Sequence, residues 1–211
     1  MRLEARNIGF GHEKGEWLFR GVDLTLEPGE IVGLTGPSGC GKTSFGRILA
    51  GYEQPREGSV LMDGRPLRPK GIHPVQLVFQ HPEKAVNPRW KMDRMLREGA
   101  EPDAELLAAL GIERDWLTRW PNELSGGELQ RFCVARALGP GTRYLIADEM
   151  TAMLDAITQA QIWHAVLDTA RKRNIGIVVI SHEHKLIDRL CSRVIDARSW
   201  RARGSTAPAE R

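Results

Sequence analysis

The sequence predicts an α/β fold: a parallel sheet with helices packed on it, an antiparallel β-subdomain ahead of it, and a short helical subdomain inserted into it. Three observations carry that expectation. Strand-length apolar runs at 31–35, 75–79, 144–147 and 175–180 are separated by stretches of helical character, and such strand–helix alternation implies a parallel sheet. Residues 3–26 instead alternate in short segments punctuated by Gly9, Gly11, Gly15 and Gly21, the pattern of antiparallel strands and turns. From 82 to 121 the strand signal nearly vanishes.

Taken in order, Pro28-Gly29-Glu30 is a turn and 31–35 a buried strand. A glycine-rich loop follows, opening into a helix over 44–49. Residues 58–63 form a short strand ended by Gly64, and 75–79 a further strand. Residues 103–110 have helical character, with Pro102 near the start, where its missing N–H costs nothing. A helix spans about 127–138. Ile162, Ala165, Val166 and Ala170 share one face of another. The unbroken apolar run 175–180 reads as a strand buried on both faces. No internal repeat is present. The expected organisation is one domain over 1–211: core and β-subdomain at about 1–80 and 125–203, helical subdomain at about 81–124, and a tail at 204–211.

The 211 residues suit one domain with a subdomain, at about 100–200 residues per domain. Apolar content of 41% and charged content of 27% place the chain among globular proteins. A net charge of +3 lacks the basic excess of nucleic-acid modules, so no nucleic-acid partner is expected. Arg198, Arg201 and Arg203 read as a solvated basic patch. No run approaches the roughly 18–20 apolar residues of a membrane span, and the N-terminus has no signal-peptide character; a cytosolic address is expected. Cys40, Cys133 and Cys191 fit neither a zinc spacing nor a disulfide framework and read as reduced thiols.

Gly36-Pro37-Ser38-Gly39-Cys40-Gly41-Lys42-Thr43 matches G-x-x-x-x-G-K-[ST] without a mismatch, after an apolar strand and before a helix opened by Ser44. Glycines let the backbone curl so that successive N–H groups face phosphate oxygens, and the helix N-terminus adds its dipole. Lys42 supplies a cation for the β- and γ-phosphates, and Thr43 a hydroxyl for Mg2+. The motif marks a P-loop nucleotide binder and no more.

Tyr144-Leu145-Ile146-Ala147-Asp148-Glu149 is an apolar strand ending in two carboxylates. Asp148 is placed to hold Mg2+ through water, since that ion keeps much of its hydration. Glu149 points elsewhere and can orient or deprotonate the attacking water.

Leu124-Ser125-Gly126-Gly127-Glu128-Leu129-Gln130-Arg131 offers a hydroxyl and open backbone N–H groups at a helix start, a second anion site. These eight residues resemble the signature motif of ABC ATPases, and they lie one short helix upstream of the acid pair, as in that family. The resemblance implies a P-loop NTPase (RecA-like) core. It also implies a head-to-tail dimer, in which Ser125, Gly126, Gly127 and Glu128 of one subunit close on the ATP of the other. It extends over nearly the whole chain. Gln80 resembles the Q-loop glutamine that contacts Mg2+ and water, His182 the switch histidine at the γ-phosphate, and Asp155 the D-loop aspartate at the dimer seam. Two positions depart from the family pattern. Met150 stands where proline usually follows the catalytic glutamate, which implies a less rigid loop. His12 stands where an aromatic ring usually stacks on adenine, with Phe10 as a rival two residues away.

Phe79-Gln80-His81-Pro82-Glu83-Lys84-Ala85-Val86-Asn87-Pro88-Arg89 and the run from Asp148 to Asp155 resemble the oligopeptide, dipeptide and nickel importer subfamily. That group's usual cysteine-containing C-terminal extension has no counterpart in these 211 residues. The resemblance implies an ATPase with Mg-ATP as ligand, working as a homodimer or as a heterodimer with a related ATPase subunit. It also implies transmembrane permease subunits as partners, an extracytoplasmic solute-binding protein as an indirect one, and a peripheral place on the cytoplasmic face of the membrane. The alternative, a soluble ABC ATPase of DNA repair or translation, usually carries a long coiled-coil insertion or two cassettes; here there is one cassette and no sustained heptad pattern.

Overall fold

The computed structural model describes residues 2–11, 16–67, 73–101 and 103–200. In chain order the elements are β1 (Leu3–Phe10), β2 (Phe19–Leu26), β3 (Ile31–Thr35), α1 (Lys42–Leu49), β4 (Glu57–Met62), β5 (Arg65–Pro66) and β6 (Val75–Val78). Next come α2 (Met92–Leu96), α3 (Ala104–Ala109), α4 (Gly126–Ala137), β7 (Tyr144–Asp148), α5 (Ala156–Arg173), β8 (Gly176–Ile180), α6 (His184–Leu190) and β9 (Arg193–Asp196).

The strands form two sheets. One is antiparallel, in the order β2-β1-β4-β5; the other is parallel, in the order β6-β7-β8-β3-β9. β7 and β8 are buried at every position, and their alternating side chains feed two separate apolar layers. Leu145, Ala147, Ile177 and Val179 pack with Phe132 and Val134 of α4 and with Ile162 and Val166 of α5. Tyr144, Ile146, Val178 and Ile180 pack with Phe45 and Ile48 of α1 and with the antiparallel sheet through Phe19, Leu24 and Leu26. A central parallel strand has no solvent face, so its residues are apolar throughout. Gly46 lets α1 lie close on this sheet: a Cβ there would stand 2.9 Å from Ile180 Cδ1.

Ile162, Ala165, Val166 and Ala170 are all buried on the core face of α5. The stretch between β6 and α4 folds as α2, α3 and three short 3₁₀ turns (Pro82–Lys84, Arg114–Thr118 and Pro121–Glu123). Asp103 caps α3 by accepting from Glu105 N–H at 3.0 Å; Pro102 lies outside the described residues. The C-terminal pair α6 and β9 was not foreseen. β9 joins β3 at the sheet edge and is only half-buried, so it shows no apolar run. Among the described residues no helix is long and apolar enough to cross a membrane.

Candidate functional site

The site is built on the C-terminal ends of β3, β7 and β8, three neighbouring parallel strands, where an α/β sheet offers a crevice. The glycine-rich loop leaves β3 and ends at the N-terminus of α1. Gly36, Gly39 and Gly41 all have positive φ. At Gly41, φ is 98° and a Cβ would meet the Phe19 ring at 2.5 Å, so only glycine fits between the loop and the antiparallel sheet. Pro37, Ser38 and Cys40 complete the turn, with Cys40 buried behind it. Lys42 begins the helix and is 6% exposed. Its ammonium donates to the carbonyls of Gly36 at 2.9 Å and Pro37 at 3.0 Å, drawing the loop around the cation. Ser44 is buried in the first turn of α1.

The Thr43 hydroxyl donates to Asp148 Oδ1 across 3.2 Å, joining the loop after β3 to the end of β7. Asp148 is 5% exposed. Burial pushes its carboxyl above the ordinary carboxylate range, and the Thr43 hydrogen bond pulls part of the way back. A hydroxyl and a carboxylate side by side are hard oxygen donors, the set that suits Mg2+. The residues present therefore fit that ion.

Glu149 follows with φ 48°, a left-handed conformation uncommon outside glycine and asparagine. Its N–H donates to Ile180 O at 2.9 Å, clamping the end of β7 to the end of β8. That turn sends the Glu149 side chain toward His182, whose Nε2 lies 3.0 Å from Glu149 Oε1. The loop carrying Met150 is firmly held. Met150 is buried in the core, and Ala152 and Leu154 donate back to the carbonyls of Glu149 and Thr151. The less rigid loop inferred from a missing proline is thus offset by packing and by consecutive turns.

A second group of side chains gathers around the start of α4. Ser125 caps the helix: its hydroxyl accepts from Glu128 N–H at 3.3 Å, and Glu128 Oε2 accepts from Ser125 N–H at 2.7 Å, a reciprocal capping box. Gln80, Ser125, Gly126, Gly127, Glu128 and Asp155 line one open cleft of about 540 Å3. Gln130 is buried and donates to Phe79 O at 3.2 Å, tying α4 to the end of β6 just before Gln80. Asp155 caps α5 by accepting from Ile157 N–H, Thr158 N–H and the Thr158 hydroxyl. These bonds hold its carboxyl below the ordinary range.

The structure therefore sorts the sequence-selected residues into two groups. The phosphate loop, Asp148, Glu149 and His182 form one; Gln80, the signature residues and Asp155 form the other. His12 lies outside the described residues. Phe10 is buried with its ring 6.0 Å from that of Phe19, which places it in the core. Burial pushes the Cys133 and Cys191 thiols up to about 11, so both stay protonated at neutral pH. Sequence reasoning gave no role to Thr151, Gln159, Trp163 and Glu183, which lace the Glu149 and His182 loops together; Thr151 lies within the 148–155 run but was not singled out there, and the other three belong to no motif.

A family model described as ABC transporter matches residues 19–152. The nickel import ATP-binding protein NikE of Rhodospirillum rubrum is 35% identical, over 88% of this chain and 74% of that protein. A solved ATP-binding subunit of an ABC transporter has a TM-score of 0.79 at 19% identity, covering 93% of this chain and 85% of that one. A dimeric ATP-binding cassette in a post-hydrolysis state, bound to ADP and Pi, has a TM-score of 0.77 at 24% identity, over 92% of this chain and 93% of that one.

Proposed function

The chain belongs to the ABC transporter family, and from that premise we propose how its residues bind and hydrolyse ATP to power a membrane permease. The observation that carries the reading is the meeting of Glu149 and His182 at 3.0 Å beside the Thr43–Asp148 pair. A base or water-positioner, a group for the γ-phosphate and a pair of oxygen donors stand together at the mouth of a phosphate loop. That is the set phosphoryl transfer needs, since its catalysis is mostly positioning and charge stabilisation.

Backbone N–H groups from Ser38 to Ser44 cradle the phosphates in the loop that Gly36 and Pro37 open, with the α1 dipole behind them, and Lys42 swings its ammonium to the β- and γ-phosphates. Thr43 and Asp148 would hold Mg2+, with Gln80 as a further oxygen donor reaching over from the signature cleft it lines; the ion would offset charge on the β- and γ-phosphates. Glu149 takes the proton of the attacking water, or orients that water, on the side where His182 meets the γ-phosphate. Ser125, Gly126, Gly127 and Glu128 of a second subunit close the site from across the seam, with Asp155 beside them. The adenine platform is assigned to His12, because Phe10 is committed to the core.

The second subunit is a copy of this chain or a related ATPase. The dimer sits peripherally on the cytoplasmic face of the membrane against permease subunits, with a solute-binding protein acting on the far side. Likeness to the nickel import proteins supports nickel or a similar metal chelate as cargo, with short peptides as the second reading from the 79–89 segment.

Glu149→Gln tests the assignment. The variant keeps ATP affinity, loses turnover by roughly 100-fold or more, and accumulates an ATP-bound dimer on gel filtration. Near-normal turnover would remove Glu149 from the base role.

A further inference from the structure

Two loops present the reacting side chains: 149–155 after β7, and 181–183 after β8. The backbone bond from Glu149 N–H to Ile180 O ties the start of the first loop to the end of β8, from which the second leaves. A second join comes from α5. Gln159 Nε2 lies 3.1 Å from Thr151 Oγ1 in the first loop and 3.1 Å from Glu183 Oε2 in the second. Glu183 directly follows His182, and its own N–H donates to Ser181 Oγ at 3.0 Å. Thr151 is 3% exposed and its oxygen also accepts from Trp163 Nε1 at 3.1 Å.

The donor count is balanced. A carboxylate only accepts, so Gln159 must turn its NH2 toward Glu183, and the two hydrogens of that group serve the two loops. Trp163 holds the Thr151 hydroxyl at a fixed point in the core. Gln159 also makes the first backbone bond of α5, donating to Asp155 O at 2.9 Å, so it is anchored to the helix that Asp155 starts.

We propose that Gln159 is a positioning residue for hydrolysis: its amide bridges Thr151 to Glu183 and so sets the approach of His182 to Glu149. The proposal rests on Glu149 and His182 being the reacting pair. Gln159 would touch neither nucleotide nor water. Its loss lets the 181–183 loop drift, and displacements near 1 Å at a reacting centre cost on the order of 100-fold; a partial drift, with the Glu149–Ile180 bond intact, costs less.

The test uses the full chain and four variants. Gln159→Glu sets a carboxylate against Glu183 and breaks the bridge. Turnover falls about tenfold, while the Kd for ATP and the melting temperature stay at wild-type values. Glu183→Ala breaks the same bridge from the other loop without touching α5, and gives the same loss of kcat. Pairing Gln159→Glu with Glu183→Gln reverses the polarity: the new amide at 183 donates to the new carboxylate at 159, and the Thr151 hydroxyl donates to it as well. Turnover returns to within about twofold of wild type, a coupling that a double-mutant cycle reads directly. Wild-type turnover in Gln159→Glu or in Glu183→Ala overturns the proposal, and so does a double variant no faster than Gln159→Glu. Glu149→Gln is assayed alongside. If it is inactive while Gln159→Glu is not impaired, the bridge alone fails; if Glu149→Gln turns over normally, the catalytic assignment and the bridge fall together.

Discussion

The Asp148 carboxyl is 5% exposed and is held by burial above its ordinary value of 3.8. The sign of the consequence is fixed. An acid whose folded pKa is raised binds its proton more tightly when folded, so the fold loses stability as pH rises from the unfolded value through the folded one, and keeps that penalty at neutral pH. Asp148→Asn removes the penalty and still accepts from Thr43. It should raise the melting temperature at pH 7 while abolishing turnover, and the gain should shrink as the pH of a thermal scan approaches 4. Glu149 shows the same conflict in the backbone, since its φ of 48° suits glycine better, a strain in keeping with the role proposed for its side chain. The residues of continuous motifs (36–43, 124–131, 148–149) were legible because their spacing is itself the constraint. Gln159 and Glu183 were not, because they meet only when two loops from different strands come to the same helix.

Helix α5 shows how one cap joins local stability to the site. Asp155 accepts two backbone N–H bonds and one hydroxyl bond, and its carboxyl lies below the ordinary 3.8. A depressed acid contributes stability above its unfolded pKa and loses it as pH falls through the folded value. Asp155→Asn keeps a capping oxygen but does not titrate. Below pH 4 the wild type should therefore lose melting temperature more steeply than the variant, as calorimetry between pH 5 and 2.5 would register; parallel curves would rule the cap out as the titrating group. At this scale the sequence reads well where periodicity is strong, and less well at the ends. α1 starts at Lys42 rather than 44 because the loop glycines already carry the chain into the helix, and β6 stops at Val78 rather than 79. Residues 184–196 mix charge with apolar residues no more than two in a row; α6 and β9 form there because β3 offers them a free edge and an apolar surface.

For the molecule as a whole, the exposed side chains beside Asp155 are telling. Met153 and Ile157 are 69% and 72% exposed, and they flank the cap next to the cleft lined by the signature residues. ABC ATPase domains act as dimers, and apolar side chains left outside one subunit suit the seam. Replacing Ile157 by Glu should leave the Kd for ATP unchanged but prevent the ATP-dependent dimer on light scattering and cut turnover at least tenfold, because a charge buried at an interface without a partner costs several kcal/mol. An unchanged dimer would place the seam elsewhere. The sequence by itself determined the nucleotide chemistry, the order of the parts and the α/β class, because phosphate binding and helix or strand periodicity are local constraints written in consecutive residues. Only the tertiary structure decided that Phe10 belongs to the core, that packing and turns hold Met150 where a proline is missing, and that Gln159 ties the Glu149 and His182 loops. Those are matters of which distant surfaces meet, and no spacing along the chain encodes them.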